Sequence, residues 1–121
     1  MSIEYRIAIE GDLLRVVATG TDDSLAEAQA YSLAVLQAAV EHGATRILSD
    51  ERELAYRLGI IDTYALAQAI AERAPSVGRA ALVTARENQP EAEFWETVVR
   101  NRGLVVRIFE RLEDAEAWLG I

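Results

Sequence analysis

Ile3, Tyr5, Ile7 and Ile9 are separated by polar or small residues, the two-residue period of a half-buried strand. Glu10-Gly11-Asp12 reads as a turn and Leu13 to Thr19 as a second β run, so the two predict an antiparallel hairpin that Gly20 ends. The period then changes. Ser24-Leu25-Ala26-Glu27 has the form of a capping box, and a helix is predicted from there to about His42, with Gly43 at its left-handed C-terminal position. Thr45 to Ser49 reads as a short strand, followed by a longer connection from Asp50 to Ile61. Asp62 is placed to cap a second helix that continues to Ala74 and stops at Pro75. Arg79 to Thr84 is a strand of small and branched residues. Asn88-Gln89-Pro90-Glu91 opens a third helix with an early proline and an acid at the positive end of the dipole; Asn101-Arg102-Gly103 closes it. Leu104 to Phe109 is the last strand, and Leu112 to Leu119 a final helix ended by Gly120.

The order β-β-α-β-α-β-α-β-α predicts an α/β fold. Strand–helix alternation gives parallel strands joined by right-handed crossovers, and the first hairpin adds an antiparallel strand. The expectation is a mixed five-stranded sheet with four helices. With no repeat, linker or low-complexity tract, residues 1–121 read as a single domain.

Composition narrows what such a fold can do. Hydrophobic residues are 51% of the chain and charged residues 26%, which argues for a packed core over disorder. There is no cysteine, hence no disulfide framework, thiol nucleophile or thiolate metal site. All twelve basic residues are arginine, which removes a Schiff-base lysine and a P-loop lysine. The net charge of −8 makes nucleic acid and anionic membrane poor partners. The first residues carry no basic segment followed by an apolar run, and no stretch approaches the roughly 20 apolar residues that span a bilayer. A cytoplasmic location is expected.

His42 is the sole histidine. At a helix end it suits the negative dipole terminus, and without Cys, His or grouped carboxylate partners it forms neither a metal site nor a triad. No metal, cofactor or catalytic residue is expected. The carboxylates Asp50, Glu51 and Glu53 read as solvated loop charges, with acid–base work as the sharper alternative. In open α/β sheets ligands sit beyond the carboxyl ends of the strands. That edge should present Asp50 and Arg52, Thr84 and Arg86, and Glu110 and Arg111, with the helix start Asp62-Thr63 facing it. These residues either hold a ligand or form ordinary surface ion pairs. Leu54, Tyr56 and Leu58 alternate within the long connection, either pinning it down or forming a lid over a pocket. The candidate ligand-binding set is therefore Asp50, Arg52, Leu54, Tyr56, Leu58, Thr84 and Arg86. Phe94-Trp95 and Val98-Val99 form two apolar ridges on the third helix, and the first helix is apolar over a wide face. Core packing or a homodimer would use them.

The order of elements, and the tail Phe109-Glu110-Arg111-Leu112-Glu113-Asp114-Ala115-Glu116-Ala117-Trp118-Leu119, resemble the STAS domains and, within them, the SpoIIAA-like group. The resemblance implies a non-catalytic regulatory or protein-interaction module. Against the Asp-Ser-Ser-Gly-like turn of the anti-sigma-antagonist type, Asp62-Thr63-Tyr64-Ala65 puts Thr63 at the phosphoacceptor position, without the second Ser and the Gly. The SpoIIAA-like group is also similar to lipid-transfer folds of the CRAL-TRIO type. That relation implies a small apolar or amphipathic ligand under a mobile helix, and membrane association. The partners expected are a protein or a second copy of the chain, and a small apolar ligand.

Overall fold

In the computed structural model, which describes residues 2–73, 78–101 and 105–121, five strands form one sheet in the order in which they occur along the chain. β1 (Ile3–Glu10) and β2 (Leu13–Asp22) pair antiparallel. β3 (Arg46–Tyr56), β4 (Arg79–Thr84) and β5 (Val106–Phe109) add to β2 in parallel. Helices α1 (Leu25–Glu41), α2 (Ile60–Arg73) and α3 (Gln89–Arg100) form the crossovers, and α4 (Leu112–Leu119) follows β5. The mixed sheet and four helices expected from the element order are thus present among the described residues. The expected helix end at Ala74 and Pro75, the Arg102-Gly103 stop and Leu104 lie outside them.

The layers follow from handedness. Each parallel crossover is right-handed and steps in the same direction across the sheet, so α1, α2 and α3 must share one face. Their buried residues join one core with Leu14, Val16, Ile47 and Leu54 of the sheet. On the other face α4 packs Ala115 and Leu119 against Leu13, Leu48, Ala81 and Val83. β1 is covered less than its alternation suggests: Ile3 is buried, but Tyr5 and Ile9 are exposed. Both ridges of α3 are used within the chain. Val98 and Val99 are buried, and Phe94 and Trp95 pack partly buried against the same core. On α1 the buried face is Ala28, Tyr31, Val35, Leu36 and Ala39.

β3 is where the structure departs most from the pattern in the sequence. It runs for eleven residues, well past Ser49, because β2 offers partners all the way to the pair Asp22 and Tyr56. The segment read as a long connection is mostly strand, and only residues 57–59 join it to α2. A bulge disguises this. Val17 pairs with Asp50 but Thr19 pairs with Glu53, so β3 carries one extra residue over that interval. An extra residue shifts the side-chain alternation by one. Ile47 and Glu51 face α1–α3 before the bulge, and Leu54 and Tyr56 face the same way after it. α2 in turn begins at Ile60, with Thr63 N–H bonded to the Gly59 carbonyl at 3.0 Å. Asp62 therefore sits in the first helical turn and does not cap it.

β4 ends at Thr84, opposite Glu51, so the rest of β3 lacks a neighbouring strand on that side. A buried backbone group left unpaired is costly. The side chain of Asn88, 4% exposed, takes the place of the missing strand. Its Nδ2 donates to the Leu54 carbonyl at 2.8 Å, and its Oδ1 accepts from Tyr56 N–H at 3.3 Å. Because Asn88 immediately precedes α3, this contact also fixes where that helix starts over the sheet. Replacing Asn88 by Ala removes both bonds and leaves the Leu54 carbonyl without its donor. The expected cost is about 2 kcal/mol, read as a lowered urea midpoint with an unchanged slope; an unchanged midpoint would show that the end of β3 is held by other means.

Candidate functional site

A cavity of about 110 Å³ lies between the sheet and helices α1, α2 and α3. The helices run back against the strands they connect, so their N-terminal turns lie over the carboxyl edge of the sheet. The two ends of the cavity consequently draw on different residues. At the amino end of the strands it is lined by Leu36, Ile47, Ile70, Ala80 and Val106, all apolar. At the carboxyl end it is lined by Asp22, the last residue of β2, by Glu51 and Tyr56 of β3, by Tyr31 of α1, and by Glu91 in the first turn of α3.

Glu51 is the centre of the polar end. It is 7% exposed and accepts a hydrogen bond on each carboxylate oxygen: from the Tyr31 hydroxyl at 2.7 Å and from the Tyr56 hydroxyl. Burial pushes the Glu51 carboxyl up, and the two phenol donors pull it back. The phenols are driven well above their ordinary value of 10.0, first by burial and then by the Glu51 charge, so both remain donors. The Tyr31 ring is held by an edge contact with Tyr5 at 5.0 Å. Helical spacing places Tyr31 here, one turn beyond Ala28 and one turn before Val35 on the buried face of α1.

Asp22 stands at the same end, partly buried. Burial, followed by the charges of Glu51, Glu91, Glu27 and Asp23, raises its carboxyl from 3.8 to about 7. Its Oδ1 is enclosed and has no hydrogen-bond partner, and the same holds for Oε1 of Glu27. No arginine is among the described residues lining the cavity. Among the described residues no group of three His, Cys, Asp or Glu is arranged to hold a metal ion.

The residues proposed from the sequence are dispersed. Tyr56 and Leu58 line the cavity, as does Thr63, whose side chain is buried with the residue only 5% exposed. Leu54 is in the core. Asp50 follows Leu48 by two positions before the bulge and so faces the α4 side; it is gripped by Arg52 through bonds of 2.9 and 2.8 Å. Thr84 is fully buried and accepts from the Gln89 amide at 2.9 Å. Arg86 is exposed and reaches Glu110 at 3.4 Å. Glu51, read as a solvated loop charge, is instead a buried acceptor, because it belongs to a strand and its side chain faces the helices. Asp22, Tyr31 and Glu91 had no signal of their own in the sequence. The signal that was present is Glu51 itself, one acid in phase with Ile47 and Ser49.

No protein-family model matches the chain, and no curated protein matches it. Solved structures do. An anti-sigma factor antagonist from Mycobacterium paratuberculosis superposes with a TM-score of 0.68 at 17% identity, over 99% of this chain and 96% of its own. An uncharacterised protein with a SpoIIAA-like fold from Shewanella loihica gives a TM-score of 0.59 at 22% identity, over 98% and 94% of the two chains. The chain has the STAS/SpoIIAA-like fold. No helix among the described residues is long and apolar enough to cross a membrane.

The raised carboxyl of Asp22 has a consequence for stability. From about pH 4 to 7 the unfolded chain gives up this proton while the folded chain keeps it. The stabilisation this group gives, complete below pH 4, is therefore lost as the pH rises to about 7. Asp22→Asn removes the loss. The variant is expected to melt above the wild type near pH 8 and level with it near pH 4; equal melting temperatures at both would show that Asp22 titrates normally.

Proposed function

We propose that this protein is a non-catalytic binding module that takes a small amphipathic molecule into the cavity beneath α1, α2 and α3. The observation that carries this reading is the graded lining: hydrocarbon side chains at the amino end of the strands, and carboxylates with phenols at the carboxyl end. Packed interiors leave few voids larger than a water molecule, and small-molecule sites combine mostly apolar walls with a few placed polar groups. The volume is of the order that takes a single aromatic ring.

A second reading, contact with a protein, has its own support. Ile60 and Ile61 at the start of α2 are 71% and 83% exposed, and one of the similar structures is an anti-sigma factor antagonist. The two readings meet at α2, whose first turns carry these isoleucines outward and Thr63 and Leu66 into the cavity wall. A ligand that prefers one position of α2 would bias the exposed surface as well, which makes the module a ligand-responsive regulator.

Saturation-transfer NMR of the full chain with toluene and with indole tests the cavity directly. Both are expected to receive magnetisation. Ala80→Leu, which fills the apolar end, should abolish the transfer while stabilising the fold by about 1 kcal/mol. No transfer to either probe, or transfer undiminished in Ala80→Leu, would overturn the reading.

A further inference from the structure

We propose that the molecule held in this cavity is a primary or secondary amine, its ammonium seated between Asp22 and Glu51 and its hydrocarbon part lying among Leu36, Ile70 and Val106. The inference deepens the cavity reading and rests on it. It starts from an imbalance. Glu51 is a carboxyl group shut away from water with two phenol donors, and no cation is among the described residues that line the cavity with it; a carboxylate charge buried there ordinarily has a counter-charge. The arginines nearest in sequence are engaged elsewhere: Arg46 on Asp12, Arg52 on Asp50, and Arg57, whose backbone N–H donates to the Asp22 carbonyl, with its guanidinium on the Tyr56 carbonyl at 2.8 Å.

The hydrogen-bond inventory points the same way. Oδ1 of Asp22 is enclosed and unpartnered. Each oxygen of Glu51 accepts one bond and has capacity for another. The Ser32, Ser49 and Thr63 hydroxyls that also line the cavity can donate but carry no charge, so what is missing at this end is positive charge, and an ammonium brings it together with donors. A hydroxyl brings one donor and no charge. A carboxylate or phosphate would add a like charge to a site that Asp22, Asp23, Glu27, Glu51 and Glu91 already make negative. A quaternary ammonium would supply charge but leave Asp22 without a donor, and the two tyrosines turn their hydroxyls to Glu51, so they do not form a cage of ring faces. The wall below is apolar, so the cation must carry a hydrocarbon group to fill it.

Among the described residues every titratable side chain lining this end is acidic, and Arg57 beside it is turned to the Tyr56 carbonyl. Asp22 closes β2, with Asp23 after it. Glu27 and Tyr31 come from α1, Glu51 and Tyr56 from β3, and Glu91 from α3; α2 contributes Thr63 and no charge to the lining. Amine binding should accordingly tighten as the pH rises through the titration of Asp22, at about 7.

Calorimetric titration of the full chain with benzylamine, benzyl alcohol and benzoate separates charge from shape, since the three share one ring. Near pH 8 benzylamine is expected to bind about tenfold or more tighter than benzyl alcohol, the worth of a charge-assisted hydrogen bond, with benzoate not binding. Lowering the pH to about 6 should weaken benzylamine alone. Asp22→Asn should remove most of the amine preference, bringing the affinity of benzylamine close to that of benzyl alcohol for the same variant; if that variant is misfolded by circular dichroism, the pH series on the wild type decides. Benzyl alcohol binding as tightly as benzylamine, or benzoate tighter, would overturn the amine while leaving the cavity reading intact. None of the three binding, together with no transfer to toluene or indole, would overturn both.

Discussion

The parallel pairing of β2 with β3, carried past a bulge to Asp22 and Tyr56, is the constraint on which the rest of the molecule depends. Had β3 ended at Ser49, the cavity would have no wall at the carboxyl edge, and Glu51 would be a loop residue in water. Had it continued without the extra residue, Leu54 and Tyr56 would point to the α4 face, because a shift of one position moves a side chain across the sheet. The bulge keeps Ile47, Glu51, Leu54 and Tyr56 on the helix-covered side. The Tyr56 hydroxyl thereby returns to a carboxylate five residues earlier in its own strand. A strand that outruns its neighbour must also satisfy its free edge, and Asn88 does so with one amide. The start of α3, and with it Glu91 at the cavity, is tied to the same device.

The polar end of the cavity is electrostatically one-sided. Two phenols hydrogen-bond Glu51 but neutralise nothing, and the nearby Asp22, pushed up by its own burial and then by the surrounding acids, holds its proton to about pH 7. Such an arrangement is less stable than a hydrocarbon core of the same shape, since burying acceptors without enough donors costs free energy. A fold that retains it in its interior is suited to receive donors from outside. On the proposed reading, one acidic cluster sets both the stability of the protein and its selectivity for a ligand.

The similar structures share the arrangement of strands and helices with this chain at 17% and 22% identity. Fold and site are separable in this way because backbone topology is set by hydrophobic patterning and handedness, whereas a cavity's chemistry rests on a few side chains. Here those are Asp22, Tyr31, Glu51, Tyr56 and Glu91, brought from four elements, β2, α1, β3 and α3.

The sequence by itself determined the class of fold. Alternating Ile3 to Ile9, the turn at Gly11, the Ser24 cap and the closing Gly120 are local signals, and local periodicity together with right-handed crossovers leaves few ways to arrange the elements. It also determined what chemistry was absent, since a chain without cysteine or lysine has no thiolate or amine nucleophile to offer. Tertiary structure alone decided the site. Asp50-Glu51-Arg52-Glu53 is a run of charges that reads as solvent-facing, and only pairing with β2 converts it into strand with a bulge that sends Glu51 inward and its neighbours out. Leu54, Tyr56 and Leu58 looked equivalent by spacing, yet Leu54 is core while Tyr56 and Leu58 line the cavity. Tyr31 and Glu51 are twenty residues apart and meet through one hydrogen bond. Such long-range contacts depend on register and packing depth, which are properties of the assembled sheet and helices and leave no periodic trace along the chain.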